Sequence, residues 1–527
     1  MKKYISLPLV GLLLSGCFFT SSSNSSSSSS SNSSSISNSS VSSSTNSTTT
    51  IIQSTNEYGE TLLDGYYKAT TQTLDLHELR KTYVFNDLPS VGDVNILVVP
   101  VRFQDSTHVE DKYCTYEEMK DNIEVAFFGE DYKTGWESLS SFYEKSSYNK
   151  LHINGEVTDW FTLDLTFLET ASLSRREYAD PTNYIVREID KWYKENYGDT
   201  DEFDSNSDGY IDCVWMVYDA PSKNEYGIDW AYTTWDYYKF EGPNVDSPIP
   251  YAYAWASVDF LYTGKYVDEN NNPLMDTHTL IHETGHVLGL EDYYDYDRIT
   301  GTAGGLDMMD NNVGDHTAYS KYSLGWIEPY VVYDNSEITI KPFESSGDAI
   351  LIKDDWNHSP FDEYLLIEFY TPTGLNEKDS LAKYAGVYPQ MFQTNGIKIY
   401  HIDSRLGYYE GPIFKYYTNM IDDNEDGWET STQLAHSNTG SESCNKDYKL
   451  VRLLERGGTN FLNSKSSFAK DSMLFKEGDI FDPIDFDLVL SEDEHFNDGE
   501  YINYLIEIVK ITDEEATLKF IKIDEDL

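Results

Sequence analysis

Cationic side chains and cysteines are both scarce in this sequence. Its 527 residues include 38 Lys and Arg against 91 Asp and Glu, so the formal net charge is −53 at pH 7. Because nucleic-acid binding needs clustered Lys and Arg to neutralise phosphates, this balance argues against a nucleic-acid partner. There are only four cysteines and no CxxC pair. Any metal site must therefore be built from His, Asp and Glu, and the three cysteines after Cys17 can form at most one internal disulfide.

The apolar run at the N-terminus is too short to cross a bilayer as a helix. Residues 5–14 follow Lys2 and Lys3 and are mostly apolar, whereas a membrane-spanning helix needs about 20 such residues. This pattern predicts a secretory signal at residues 1–16. The run ends in "LSGC", which resembles the bacterial lipobox. That resemblance implies cleavage before Cys17 and lipidation of its thiol.

A low-complexity segment follows the signal. Residues 20–50 are nearly all Ser, Asn and Thr, a composition that cannot bury a core and is typical of a flexible tether. We therefore predict that residues 17–55 form a lipidated tether and that the folded part lies at the extracellular face of a bacterial cell membrane. Weak periodicity leaves residues 56–90 without a predicted structure.

The rest of the chain divides into two regions by periodicity. The apolar run "VNILVVPVRF" predicts a buried strand, and strands alternate with helical patterns up to about residue 329. Beyond that point, strands such as "EYLLIEFY" and "GIKIYHID" are separated by turns, which is typical of an antiparallel, sandwich-like domain. We therefore predict an α+β chain, with an α/β domain at residues 91–329 and a β-rich domain at residues 330–527.

The stretch "HETGHVLGLED", residues 282–292, has the spacing of a zinc-binding helix. Residues four apart share one face of a helix, so His282 and His286 can present imidazole nitrogens to the same ion. Neutral imidazole is a preferred zinc ligand. Glu283 lies beside both histidines, where a carboxylate can act as a general base.

A third zinc ligand is expected just after this helix. Gly289 can adopt a positive φ, end the helix and turn the chain back, which would deliver the carboxylate of Asp292 to the ion. Asp295 and Asp297 follow in "EDYYDYD". The identity of the third ligand therefore stays open among these three aspartates.

Further motifs indicate a family. With the HExxHxxGxxD pattern, "GGLDMMDNN" and "AYSKYSLGWIEP" resemble the immune inhibitor A family of secreted bacterial metallopeptidases, which are metzincin-like zincins. The strand "VNILVVPVRFQD" and the helix–strand segment "SLSSFYEKSSYNKLHINGEV" extend the resemblance, which covers residues 93–522. It implies a zincin-like catalytic domain at residues 91–329, with Met309, or less favourably Met308, in a turn beneath the zinc.

A second metal motif is "DSNSDGYID". Its oxygen-bearing residues alternate, and Gly209 stands where a sharp turn is needed, as in loops that bind calcium. A strand rather than a helix follows, and the twelfth position is not Glu, so the loop is not an EF-hand. A polar turn without an ion is the alternative. The predicted calcium ligands are Asp204, Asn206, Asp208, the carbonyl of Tyr210, and Asp212.

Together these features predict a zinc-dependent endopeptidase that acts on extracellular proteins or peptides, with Glu283 as general base. By analogy with some relatives, Tyr319 or Tyr322 would stabilise the oxyanion. One alternative is a catalytically inert, zincin-like lipoprotein that binds surface partners, although such a protein would be free to lose Glu283. Another is zinc-dependent hydrolysis of a non-peptide substrate, which needs the same residues.

Overall fold

The computed structural model describes most of the chain after the tether. The described residues are 54–70, 88–130, 134–173, 181–223, 230–236, 242–264, 267, 274–381, 383, 387–417, 433–440, 444–445, 447–464, 467–486 and 494–523. The predicted signal, Cys17 and nearly all of the tether lie outside them. Residues 53–527 form one compact unit. No helix among the described residues is long and apolar enough to span a membrane.

Ten α-helices are described, and most of the longer ones precede residue 330. Short 3-10 helices also occur, for example at Asp201–Phe203 and Gly374–Asn376. The α-helices are α1 (His108–Lys112), α2 (Tyr116–Phe128), α3 (Leu139–Ser146), α4 (Phe167–Ala171), α5 (Pro181–Asn196), α6 (His278–Val287), α7 (Ala318–Ser323), α8 (Phe343–Ser346), α9 (Glu377–Leu381) and α10 (Phe461–Ser464).

The described strands fall into five sheets. They are β1 (Tyr66–Lys68), β2 (Gly92–Arg102), β3 (Leu151–Val157), β4 (Phe161–Thr162), β5 (Tyr210–Ile211), β6 (Val214–Tyr218), β7 (Tyr232–Trp235), β8 (Ile249–Pro250), β9 (Ala252–Ser257), β10 (Tyr330–Val332), β11 (Ser336–Ile340), β12 (Ala349–Ile352), β13 (Glu363–Tyr370), β14 (Gly396–Asp403), β15 (Leu406–Glu410), β16 (Ile413–Tyr416), β17 (Gln433–Leu434), β18 (Val451–Leu453), β19 (Ile480–Phe481), β20 (Tyr504–Ile511) and β21 (Ala516–Lys522). The protein is thus a mixed α and β fold with several sheets, which agrees with the α+β prediction at this level.

The first large sheet has the order β3-β2-β6-β9-β7, and β4 also pairs with β2. All its pairings are parallel except β9 with β7, which are antiparallel. Alternate side chains of β2 pack on opposite faces, as expected for a strand buried on both sides. Ile96 and Val98 join the core that contains α6, whereas Leu97 and Val99 join the core that contains α5.

The region after residue 329 supplies five strands of a six-stranded sheet, β1-β10-β12-β13-β14-β18, and all four strands of a second sheet, β11-β21-β20-β19. Leu365 and Ile367 of β13 face the core shared with the four-stranded sheet. Tyr364 and Leu366 face the other way, into the core that contains α6. The sheet that contains β13 is therefore a middle layer, with the four-stranded sheet on one face and the core that contains α6 on the other.

Two features of this region differ from the sequence prediction or go beyond it. The prediction of a purely antiparallel domain is wrong for one pair, because β10 and β12 are parallel. The intervening strand β11 pairs in the four-stranded sheet, so the chain leaves the sheet that contains β10 and re-enters it at β12 in the same direction. In addition, the previously unassigned N-terminal segment supplies β1, which pairs with β10.

Candidate functional site

Helix α6 is held firmly by the core beneath it. The side chains of Leu280, Ile281 and Val287 are buried. The indole Nε1 of Trp215, on β6, donates to Thr284 Oγ1 at 3.0 Å, and the hydroxyl of Tyr143 donates to the Ile281 carbonyl at 2.7 Å. These bonds fix both the rotation and the position of the helix, so its polar face points to a defined place.

Three side chains converge at that place. His282 Nε2 lies 3.1 Å from Asp292 Oδ1, and His286 Nε2 lies 3.3 Å from the same oxygen. In a tetrahedral zinc site with bonds of about 2.0 Å, ligand atoms stand about 3.3 Å apart. Within the described part of the chain, this is the one group of three or more His, Cys, Asp and Glu whose ligand atoms all lie within 4.8 Å of one another.

The hydrogen bonds of the two imidazoles indicate what the site accepts. His282 Nδ1 lies 2.9 Å from the Met308 carbonyl, and His286 Nδ1 lies 2.8 Å from the Leu290 carbonyl. A carbonyl oxygen only accepts, so each Nδ1 carries a proton and each Nε2 is directed at Asp292. A cation is favoured between these atoms, either as a proton on Nε2 or as a metal ion, and the donor set of two imidazoles and one carboxylate fits zinc.

The electrostatics of the group agree with this geometry. Burial alone would lower the pKa of His286, but the carboxylate of Asp292 more than offsets it and raises that pKa to about 10. The pKa of His282 is raised by the same carboxylate against the effect of burial. Burial opposes ionisation of Asp292, yet the two histidines hold its pKa well below the usual range. The protein therefore favours positive charge at this point.

Asp292 reaches the histidines through the turn at Gly289. That glycine has φ of 92°, and its N–H donates to the His286 carbonyl at 2.8 Å, so the helix ends there as expected. The second oxygen of Asp292, Oδ2, accepts a hydrogen bond of 2.7 Å from the hydroxyl of Tyr296. This bond orients the carboxylate and leaves Oδ1 facing the histidines.

The other two candidate aspartates are not part of the group. Asp295 is buried, and its carboxylate accepts from the backbone N–H groups of Asp297, Ile299 and Thr300 at 2.9 to 3.1 Å. It therefore closes the loop that follows the turn. The side chain of Asp297 is exposed and takes no part in the cluster of ligand atoms.

Glu283 lies next to this group and is also buried. Its Oε2 is 3.1 Å from the hydroxyl oxygen of Thr233 on β7, and the same hydroxyl lies 2.9 Å from the Glu283 carbonyl. Burial raises the pKa of Glu283, although His286 and His282 act against it. A carboxylate whose pKa is raised in this way is a better proton acceptor than one in water.

Met309 lies beneath the helix. It is fully buried, and a Cβ added to Gly285 would collide with its sulfur. The Met309 carbonyl accepts from the N–H of Tyr293 at 2.9 Å. The neighbouring residue Met308 contributes the carbonyl that holds His282. The turn at Met308 and Met309 thus contacts the buried side of helix α6 at Gly285 and one of its histidines, His282.

The tyrosines predicted as oxyanion ligands are not at this place. Tyr319 and Tyr322 are both 3% exposed, and their rings pack against Tyr293 and Tyr364, respectively. The ring of Tyr294 is closer, at 6.2 Å from that of His282, and its hydroxyl is hydrogen-bonded to Asp292. Tyr294, Tyr296 and Thr233 were missed in the sequence, and only the "YYDY" run that follows Asp292 could have suggested the two tyrosines.

The predicted calcium loop has the expected turn, with φ of 87° at Gly209. Most of its side-chain oxygens accept from the loop's own backbone. Asp204 Oδ1 and Asn206 Oδ1 each accept from Asp208 N at 3.0 Å, and Asp208 Oδ1 accepts from Tyr210 N at 3.0 Å. The loop can therefore hold its shape without an ion.

One carboxylate oxygen of the loop has no such partner. Asp212 is 1% exposed; its Oδ2 accepts from Ser205 N at 2.9 Å, but Oδ1 has no hydrogen-bond partner. Burial, with Asp204 and Asp208 nearby, raises the pKa of Asp212 to about 8. A cation would offset the repulsion among these carboxylates and give Asp212 Oδ1 a partner, so these residues fit calcium. They are less tightly gathered than the group of His282, His286 and Asp292.

Comparison with known proteins adds no further information. A scan of the sequence against protein-family models finds no match, and a search of curated proteins finds no similar sequence. The resemblance to immune inhibitor A peptidases therefore stays a prediction from motifs. What can be said of function depends on the geometry of the site.

Proposed function

We propose that the protein is a zinc-dependent endopeptidase with a zincin-like catalytic region at residues 91–329, similar to the immune inhibitor A family. The observation that carries the proposal is the convergence of His282 Nε2 and His286 Nε2 on Asp292 Oδ1, at 3.1 and 3.3 Å, with Glu283 beside them. Two imidazoles and a carboxylate leave one position of a four-coordinate zinc free for water or substrate, as catalytic zinc sites require.

The residues of the chain have distinct roles in this proposal. A bound zinc ion supplies a Lewis acid that makes water nucleophilic near neutral pH and polarises a substrate carbonyl. Glu283 accepts a proton from the attacking water at one carboxylate oxygen and passes it to the leaving amine nitrogen. Tyr296 orients Asp292, and the carbonyls of Met308 and Leu290 keep both imidazoles in the tautomer that binds metal.

The sheet suggests where a peptide substrate would lie. Strand β7 is the outermost described strand of the sheet β3-β2-β6-β9-β7, and its residue Thr233 contacts Glu283. The edge of the sheet thus runs beside the general base. An extended peptide aligned with this edge would present its backbone to Glu283, which favours cleavage within polypeptides over hydrolysis of small non-peptide substrates.

The proposed location rests on the N-terminal sequence. Cleavage before Cys17 and lipidation would attach the enzyme to the outer face of a bacterial cell membrane through the tether. Extracellular proteins and peptides are then the accessible substrates, and the net charge of −53 argues against nucleic-acid partners. Globomycin-sensitive processing and partition into Triton X-114 in the wild type, both lost in Cys17→Ala, would support the anchor; unchanged partition would contradict it.

Calcium is proposed as a second ion, in the loop that ends at Asp212. It would bind the side-chain oxygens of Asp204, Asn206, Asp208 and Asp212 and the carbonyl of Tyr210. Calcium should raise the melting temperature of the wild type, and Asp212→Asn should reduce that increase. An increase of the same size in the variant would show that the loop is a polar turn without an ion.

The peptidase proposal is tested on the purified protein with its metal content measured. We expect one zinc per chain, casein hydrolysis, loss of hydrolysis with 1,10-phenanthroline and recovery on addition of zinc. Stoichiometric zinc without hydrolysis of casein or a mixed peptide library would favour the inert binding lipoprotein. Hydrolysis of ester substrates alone would favour the non-peptide hydrolase, and absence of zinc would contradict all three.

A further inference from the structure

An exposed thiol lies beside a buried histidine in the C-terminal region. Cys444 is exposed and forms no disulfide. The N–H of Cys444 donates to the carbonyl of Ala435 at 2.8 Å, so the thiol is held next to His436, the residue after Ala435. Cys444 Sγ lies 4.0 Å from His436 Nδ1. Contacts between a nucleophile and its base are often this loose before a substrate binds.

A tyrosine hydroxyl joins the sulfur and the ring. The hydroxyl oxygen of Tyr416 lies 3.4 Å from Cys444 Sγ and 3.1 Å from His436 Nε2. A phenol hydroxyl donates one hydrogen bond and also accepts, so it can donate to a thiolate while it accepts from the ring. Tyr416 is itself 37% exposed. A small molecule from solvent can therefore reach the sulfur.

A buried carboxylate stands behind the histidine. Asp403 and His436 are both 0% exposed, and Asp403 Oδ2 lies 3.3 Å from His436 Nε2. The guanidinium of Arg405 donates to both oxygens of Asp403 at 2.7 Å. Burial opposes ionisation of Asp403, yet Arg405 holds its pKa below the ordinary value. A negative charge is therefore fixed next to the ring, where it stabilises the protonated form of His436.

These surroundings make the ring suitable as a base. Burial lowers the pKa of His436, although Asp403 acts in the opposite direction, so the imidazole is neutral near pH 7. Asp403 beside Nε2 favours a proton on that nitrogen, which leaves Nδ1 to accept a proton from Cys444. The backbone carbonyl of Asn445 also favours the protonated ring. Cysteine, histidine and aspartate thus have the order in which a base activates a nucleophile and a third group orients the base.

We propose that Cys444 is a reactive thiol that exchanges with small disulfides, with His436 as its base and Tyr416 as the donor that stabilises its thiolate. The proton of Cys444 passes to His436, and the thiolate attacks one sulfur of the disulfide. The S–S bond of the small molecule breaks, a new S–S bond joins one half of it to Cys444, and the leaving thiolate takes the proton from His436. One disulfide replaces another, so no further oxidant is needed. This site is separate from the proposed zinc ligands and does not depend on peptidase activity.

The first test treats the reduced full-length protein with oxidised glutathione and follows each cysteine by peptide mass mapping. Cys444 should gain a glutathionyl group at least about tenfold faster in the folded protein than in the same protein in urea, because only the folded chain supplies the base. Cys114, which is half-buried beside Asn122, is the internal control and should react more slowly when folded. If folded Cys444 reacts no faster than unfolded Cys444, the proposal is overturned.

The second test separates a base from a merely structural histidine. His436→Gln should slow the modification of Cys444 at least about tenfold, because the amide cannot take up the proton of the thiol. Loss of a structural contact would act with the opposite sign, since a loosened loop exposes the thiol further. A rate for His436→Gln equal to or above that of the wild type would therefore contradict the proposal.

A conservative variant stays informative if His436→Gln does not fold. Tyr416→Phe removes only the hydroxyl that donates to the thiolate, so it should react more slowly with oxidised glutathione than the wild type. Tyr409→Phe is the matched control, because it removes a hydroxyl from an exposed tyrosine of strand β15, which pairs with β16, and it should react like the wild type. Equal rates for these two variants would show that Tyr416 does not stabilise the thiolate, and the proposed arrangement would be wrong.

Discussion

Two buried aspartates in this protein face a histidine, yet their surroundings differ. Asp307 accepts hydrogen bonds from His316 Nδ1, Met309 N, Thr317 N and two hydroxyl groups, at 2.6 to 2.9 Å. Asp292 accepts from the hydroxyl groups of Tyr296 and Tyr294, and its Oδ1 faces Nε2 of His282 and His286. Both oxygens of Asp307 are compensated by donors of the protein, so its role is structural. Asp292 also faces two imidazole nitrogens that can bind a metal ion together with it.

This contrast separates two kinds of His–Asp pair that look alike in a sequence. Removal of a carboxylate that has many donors leaves those donors unsatisfied, so it should reduce stability. Removal of a carboxylate that faces two imidazole Nε2 atoms should mainly reduce metal binding, because it removes one of three ligands. The variants that follow test this division, beginning with the largest expected effect.

Asp292→Ala should lose zinc and peptidase activity together, because one of three protein ligands is removed. Asp295→Ala is the matched control: it lies on the same loop, bonds only to backbone and side-chain donors of that loop, and should keep one zinc per chain. Zinc analysis of both purified variants decides the matter. Full zinc content in Asp292→Ala, with loss of zinc in Asp295→Ala, would show that Asp295 and not Asp292 is the third ligand.

Glu283→Gln should keep zinc and reduce kcat at least about 100-fold, the usual contribution of a general base. The amide fills the same volume and can still bond to Thr233, but it cannot accept the proton of water. Single-turnover peptide hydrolysis with zinc-loaded enzyme measures the effect. Near-normal turnover would exclude Glu283 as the base. The proposed zinc ligands His282, His286 and Asp292, called the metal group below, would then have no assigned proton acceptor beside them.

Asp307→Asn should behave in the opposite way and lower the free energy of unfolding by about 1–3 kcal/mol. Each oxygen of Asp307 accepts from a backbone N–H, Met309 on one side and Thr317 on the other, so the amide group of Asn must face one donor. Urea denaturation measures the loss. Protein that remains folded should hold zinc normally, and preferential loss of zinc would place Asp307 in the metal group.

The acid stability of the protein offers a smaller version of this test. Although burial acts against it, His316 and the surrounding donors lower the pKa of Asp307 from 3.8 to about 2. A carboxyl with a depressed pKa in the folded state stabilises above its unfolded pKa and loses that effect as the pH falls through its folded pKa. At about 1.4 kcal/mol per unit, wild type should lose about 2 kcal/mol more than Asp307→Asn between pH 4 and 2. If the free energies of unfolding of the two proteins fall in parallel between pH 4 and 2, Asp307 does not have the lowered pKa that its donors predict.

The sequence predicts best what depends on local spacing. Residues four apart on one helix predicted that His282 and His286 share one face, and a positive-φ glycine made Asp292 a candidate third ligand beside Asp295 and Asp297; the structure brings Asp292 to the histidines. Likewise, the apolar run of β2 predicted a buried strand, and the structure buries its alternate side chains on both faces of the sheet. In each case the geometry of one element determines the neighbours, so no knowledge of distant segments is needed.

What could not be predicted depends on contacts between distant segments. Thr233 lies 50 positions before Glu283, and its contact arises only because β7 is the antiparallel edge strand next to α6. The pairing of β1 with β10 and the parallel pairing of β10 with β12 depend on which sheet each strand joins. Tyr319 and Tyr322 were placed near the metal by analogy with some relatives, whereas helix α7 directs both into the core.

The smallest effect is expected at Met309, and it separates support of the helix from ligation. Leu and Met have similar volumes, so Met309→Leu should cost less than about 1.5 kcal/mol and should leave zinc and kcat almost unchanged. Gly285→Ala tests the same contact from the other side, and it should cost more because its Cβ would collide with the Met309 sulfur. Thermal melts and zinc analysis of both variants suffice. The carbonyl of Met308, not the side chain of Met309, holds His282. Loss of zinc in Met309→Leu would therefore mean that the Met309 thioether also determines the position of the zinc ligands, and that its role is more than packing.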